Sequence, residues 1–196
     1  TEAGFHPGLP AALVRFAACH LDRLQAVQTA GFLNMGRDMP YSEGVDELME
    51  ALQDFQALEY KDGAWKSAGW FDLRRVDFGD GIGTRPCYAM FFEELRALPE
   101  MFPALEELGF YISASHWLVD WVIMPLAIVG LKIAPRAALR PLGKIVWWGM
   151  RTLPGPPYLV LLIMEARGVK QGRTERFVAS ISHTDGYELT AIPVVA

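Results

Sequence analysis

Cysteine is scarce in this chain: Cys19 and Cys87 are the only two in 196 residues. Two thiols cannot build the dense disulfide frame of a small secreted scaffold. Positive charge is also short. Eighteen Lys and Arg stand against 23 Asp and Glu, a net charge of −5, which excludes a broadly basic nucleic-acid binder. No apolar run reaches the roughly 20 residues that a membrane-spanning helix needs. The longest candidate, Trp117–Leu131, is interrupted by Asp120 and Pro125. The first residues, Thr1-Glu2-Ala3-Gly4, offer neither the basic nor the apolar part of a secretory signal. With eight Met and so few Cys, the expected compartment is the reducing cytoplasm. Walker loops, HExxH, CxxC and GxSxG elbows are all missing, so no metal site and no serine hydrolase is expected.

What is present is apolar bulk. Hydrophobic residues make up 52% of the chain, with six Trp, eleven Phe and six Tyr. That is enough to bury a sizeable core, and residues 1–196 read as a single domain. The first residue is not Met, and the last six, Ala191-Ile192-Pro193-Val194-Val195-Ala196, are an apolar run. Both ends read as cuts through a longer, two-domain protein.

Periodicity supplies the elements. Leu9, Leu13, Phe16, Ala17, Leu21 and Leu24 recur at helical spacing, with Pro10 in a first turn that can spare its N–H. Residues 26–36 read as a strand. Residues 42–54 read as a helix capped by Ser42, with Val45, Leu48, Met49 and Leu52 as its apolar stripe. Lys61-Asp62-Gly63 marks a hairpin, and Lys170-Gln171-Gly172 joins two strands, Tyr158–Val169 and Thr174–His183. Residues 73–78, 87–92 and 110–114 complete the predicted strands, and 97–108 suit short helical turns. Residues 187–196 read as the start of a last helix. Segment 117–152 stands apart, with five bases against one acid, while the rest holds thirteen bases against 22 acids. It reads as helical pieces broken at Pro125, Pro135 and Pro141. The fold class is therefore α+β: a mixed, largely antiparallel sheet with helices on one face, plus a helical insertion around 117–152.

Several motifs invite a function. Gly79-x-Gly81-x-Gly83 looks like a nucleotide loop, but position 84 is Thr and a strand pattern follows where a phosphate site needs a helix start. It reads as a glycine-rich turn. His6, His20, His116 and His183 show no ligand spacing; Cys19 and His20, adjacent on a helix, point about 100° apart. Lys132, Arg136, Arg140 and Lys144 recur every four residues ahead of Trp147 and Trp148. Such a stripe suits the rim of a dimer interface or an anionic membrane surface. In Ala3-Gly4-Phe5-His6-Pro7-Gly8-Leu9-Pro10, a sharp turn leads into a helix. Its backbone N–H groups suit an anion or a carbonyl oxygen, and His6 titrates near neutral pH. An ordinary Gly-Pro turn capping a helix explains the same residues.

Those residues also carry a resemblance. AGFHPGLPAALVRFAA is similar to the segment that follows the nucleotide-binding half of saccharopine dehydrogenase-like oxidoreductases. The stretch Val76–Gly83 with Tyr88, and the stretch Gly172–Pro193, resemble the same family in the same order. The family's amino-acid-forming enzymes carry Asp before the Pro-Gly, where this chain has His6.

The resemblance implies the substrate-binding and dimerisation domain of an NAD(P)-dependent oxidoreductase. That enzyme would transfer hydride at a C–N or C–O carbon of a small amino-acid-like substrate. NAD or NADP would be bound by a Rossmann domain outside this chain, with no cofactor held by the chain alone, which would be inactive by itself. His6 would be the acid or base, and Gly4, Pro7 and Gly8 the turn facing the nicotinamide. Arg85, Tyr88, His183 and Tyr187 would contact substrate. A homodimer and no nucleic acid are implied as partners. The competing reading is a non-catalytic interaction module that touches anionic membrane through segment 117–152.

Overall fold

A computed structural model describes residues 8–36, 40–53, 55–69, 72–79, 81–114, 116–186 and 189. Helix α1 (Leu9–His20) leads into the central strand β1 (Arg23–Asn34), which is buried along most of its length. Helix α2 (Glu43–Gln53) precedes the hairpin of β2 (Leu58–Lys61) and β3 (Ala64–Ser67). A second hairpin pairs β4 (Arg74–Asp77) with β5 (Thr84–Met90). The short α3 (Leu98–Met101) leads to β6 (Glu107–Ala114). Helices α4 (Met124–Ile133) and α5 (Pro135–Thr152) follow, then the long hairpin of β7 (Leu159–Lys170) and β8 (Arg173–His183).

The sheet runs in the order β3-β2-β6-β1-β7-β8, with β5 also pairing β6 and carrying β4. Only β1 and β6 are parallel among these pairs; every other pair is antiparallel. The α+β class with a mixed, largely antiparallel sheet is thus what the periodicity predicts. Both two-residue turns have left-handed backbone, at Asp62-Gly63 and at Gln171-Gly172. That geometry matches the twist of the strands they join, and it explains the glycines.

Strand alternation sorts the core. On one face, Val27, Phe110, Leu162 and Met164 pack with Val14 and Ala17 of α1 and with Leu95 and Leu98. On the other face, Ala30, Phe32, Tyr111 and Leu161 meet Phe78 and Ile82, carried by the β4–β5 hairpin and its loop, and Cys87 of β5. Gln25 is an extra residue in β1 opposite β7, since Leu24 faces Gly168 and Ala26 faces Arg167. A Cβ at Gly168 would lie 2.1 Å from the Arg23 carbonyl oxygen, so the bulge requires glycine there.

A third core joins α2 to the 117–152 segment: Met49 and Leu52 pack with Val119, Ile123, Ile128, Leu131 and Val146. These helices cap the end of the sheet at which β1 and β6 finish. Pro141 does not break the segment, contrary to the sequence expectation; α5 runs straight through it. The proline removes one hydrogen bond, to the Ala137 carbonyl, and Ala137 is exposed, so water serves that group. Pro125 does not break the segment either. Its missing N–H coincides with a wide π turn at Val119–Ile123, in which the Met124 N–H donates to the carbonyl of Val119. Among the described residues no helix is long and apolar enough to cross a membrane.

Candidate functional site

The helical cap does not close tightly on the sheet. A cavity of about 440 Å³ lies between α2, α4, α5 and the carboxyl ends of β1 and β6. In open α/β sheets the carboxyl ends of parallel strands are the usual place for a ligand, β1 and β6 are the parallel pair here, and the volume is that of a small-molecule pocket. Helix α2 offers Val45, Leu48, Ala51 and Leu52; α4 and α5 offer Met124, Ile128, Trp147 and Met150. From the sheet come Leu33, Met90, Ile112 and Val160. The wall is overwhelmingly apolar because each element turns its core stripe to this space.

Polar side chains interrupt that wall: Tyr88 on β5, Ser113 on β6 and Asp120 in the π turn, with the exposed acids Glu47 on α2 and Asp72. Ser113 and Asp120 are buried, and Tyr88 is half-buried. Strand pairing sets Tyr88 opposite Ile112, next to Ser113. The extra residue of the π turn shifts the helix phase where Asp120 sits, and such turns recur at functional sites. The Tyr88 ring meets Trp121 edge-on at 5.7 Å. Burial pushes the Tyr88 hydroxyl well above its usual range, and the negative charge of Asp120 pushes it further. Tyr88 is therefore a neutral hydrogen-bonding group at any physiological pH. Behind it, burial and then Asp120 push the Cys87 thiol up to about 12, with Arg74 opposing. That thiol is not a nucleophile.

A second polar cluster lies at the β2–β4 side. Arg74 reaches the Tyr111 hydroxyl at 3.4 Å and sits over its ring. Burial and a hydrogen bond with Glu59 push the Tyr111 hydroxyl up. Lys61 pairs with Glu59. This cleft is more open than the first, and its charges engage one another.

Of the residues named from sequence, Tyr88 lies in the cavity wall. Arg85 lies outside it, with its Nε–H donating to the Ile82 carbonyl at 3.1 Å. His183 ends β8 opposite Val160, at the same sheet end, where its Nδ1 accepts the Asp185 N–H at 2.9 Å. Gly8 has φ 126° and gives its carbonyl to the Ala12 N–H, starting α1. Gly4, His6, Pro7 and Tyr187, and the helix expected over 187–196 apart from Leu189, lie outside the described residues. Ser113 stands in Ser113-Ala114-Ser115-His116, which reads from sequence as the polar end of a strand. Asp120 belongs to no motif, and its signal was indirect: it is the only acid in a 36-residue apolar and basic stretch, 117–152, and a buried acid needs a reason.

The glycine-rich loop before β5 does not form a dinucleotide site. Gly79, Gly81 and Gly83 have positive φ but lead into β5 rather than a helix, so no helix N-terminus meets a pyrophosphate there. Among the described residues no cluster of His, Cys, Asp and Glu is placed to hold a metal ion.

No family model matches the chain, and no curated protein matches it in sequence. Among solved structures, it is similar to a saccharopine dehydrogenase (L-Glu forming) from Saccharomyces cerevisiae in its apo form. The TM-score is 0.53 at 12% identity. The match covers 92% of this chain but 58% of the yeast one. The chain has a saccharopine dehydrogenase-like fold. It spans a little over half the length of that enzyme.

Proposed function

We propose that this chain is the substrate-binding part of a two-part, nicotinamide-dependent oxidoreductase, and that the sheet-end cavity holds the substrate. The observation that carries the reading is the cavity itself. A fold shared with a dehydrogenase presents, at the carboxyl ends of its parallel strands, a largely apolar cavity with Tyr88, Ser113 and Asp120 in its wall. The chain's residues would bind and orient a substrate whose reacting carbon bears nitrogen or oxygen. Tyr88 would donate a hydrogen bond to that atom, and Asp120 would accept one. The nicotinamide would supply the hydride from a domain outside this chain. Self-association into a homodimer is part of the proposal.

The test uses the longer reading frame. A strand–GxGxxG–helix unit within about 130 residues upstream of Thr1, roughly one domain, is expected. The two-part protein should then oxidise NADPH with a carbonyl or imine substrate. His6→Ala should change the pH profile between 6 and 9 if His6 moves a proton. A frame that starts within a few residues of Thr1, or a two-part protein that turns over no nicotinamide, overturns the reading.

One feature favours a second role. Val122, Leu126, Val129 and Ile133 form an exposed apolar stripe along the π turn and α4, at 38%, 62%, 54% and 79% exposure, with Ile145 and Trp148 exposed on α5. Lys132, Arg136, Arg140 and Lys144 are exposed beside it. An apolar stripe flanked by bases fits an anionic membrane surface. Vesicles containing anionic lipid should co-sediment with the chain at low salt. Charge reversal at the four bases should release it, and absence of binding would remove the role.

A further inference from the structure

The cavity's chemistry narrows its ligand. Among the described residues in its wall there is no Lys, Arg or His, whereas Asp120, Glu47 and Asp72 are acids. Recognition of an amino-acid carboxylate favours a cationic side chain, and the described residues of this wall include none. The apolar side chains, among them Leu48, Leu52, Phe55, Met124, Ile128 and Trp147, instead reward removal of hydrocarbon from water. The polar side chains provide both kinds of partner. The Tyr88 hydroxyl donates, and the Asp120 carboxylate accepts.

We infer that the sheet-end cavity binds an uncharged, chain-like apolar molecule, whose single polar head, a hydroxyl, carbonyl or amide, meets Tyr88, Ser113 and Asp120. An anionic head would face Asp120 without a compensating cation. The inference rests on the cavity being the substrate site, and it replaces the amino-acid-like substrate that the sequence resemblance suggests.

The test titrates the chain with 1-decanol, decanoate and L-glutamate at pH 8, reading tryptophan fluorescence, since Trp147 is in the wall. Decanol should bind at least ten-fold more tightly than decanoate, and glutamate should not bind. Ala51→Trp, on α2 at the wall, should weaken decanol at least ten-fold; if that variant fails to fold, Met124→Trp serves. Asp120→Asn should narrow the gap between decanol and decanoate. Leu126→Ser, on the outer stripe and away from the cavity wall, should leave decanol affinity unchanged. Glutamate binding as tightly as decanol overturns the inference. So does decanol binding that survives the filled cavity or is lost in Leu126→Ser. The reading as an oxidoreductase fails separately. Decanol binding without nicotinamide turnover by the longer protein breaks that reading alone, and turnover of glutamate without decanol binding breaks this one alone.

Discussion

The two ends of the β7–β1–β6 sheet solve the same problem in opposite ways. At the end where β7 turns into β8, the uncovered face is polar. Glu165 pairs with Arg176 at 2.8 Å, Glu107 with Arg167 at 3.4 Å, and Gln28 donates to Glu107 at 3.2 Å. Arg176 holds the Glu165 carboxyl below the usual carboxylate range. Those charges are solvated and matched, and they ask for no other partner. At the opposite end the helical cap leaves a largely apolar space, with the buried Asp120 in its wall. Charge on a surface is inexpensive and carries little information about function. A carboxylate kept in an apolar wall costs stability, and that cost marks the end of the molecule where binding is expected.

The comparison can be broken in order of effect. Phe110 is fully buried mid-sheet between the two ends. Phe110→Ala should cost about 3–5 kcal/mol, and urea unfolding should show both ends melting together. Separate transitions would mean that the cap folds independently.

Alkaline pH should act on the cavity side. The buried Cys87 thiol keeps its proton up to about 12, against an ordinary 9.0. The unfolded chain therefore releases that proton first as the pH rises. Stability is intact below pH 9 and falls between 9 and 12, by up to about 1.4 kcal/mol per pH unit for this group. Buried Tyr111 and half-buried Tyr88, both pushed up, steepen the fall. Denaturant melts of the wild type and Cys87→Ala across this range check it; an unchanged slope in the variant would contradict the assignment. A thiol reagent at pH 8 should likewise modify exposed Cys19 and spare Cys87 until the chain unfolds.

The smallest effect belongs to the polar end. Arg176→Ala should cost less than about 1 kcal/mol and nothing measurable in high salt, because the pair is solvent-exposed. A larger loss would show that this face is buried against something.

Much of this frame was legible from residues alone. The turns at Asp62-Gly63 and Gln171-Gly172, the Leu13 and Ala17 side of α1 and the Val45, Met49 and Leu52 side of α2 are local patterns, and local sterics dictate them, whereas Phe16 is exposed and Leu24 belongs to β1. Pro141 misled because the cost of a proline depends on whether water reaches the orphaned carbonyl, a tertiary fact. The cavity was not legible. Its wall joins Leu48, Tyr88, Asp120 and Trp147 from four separated elements, and a single sequence carries no signal of which stripes will face one another. Tyr88 was named for a resemblance, and its meeting with Ser113 and Asp120 emerges only when β5, β6 and the π turn are assembled.

The most direct test is a map of amide and indole chemical shifts in the chain as 1-decanol is added. Shifts should gather on Leu48, Met90, Ile112 and Asp120 and on the Trp147 indole, leaving Glu165, Arg167 and Arg176 unmoved. Shifts spread over the β7–β8 face, or none at the cavity with decanol in excess, would contradict the account.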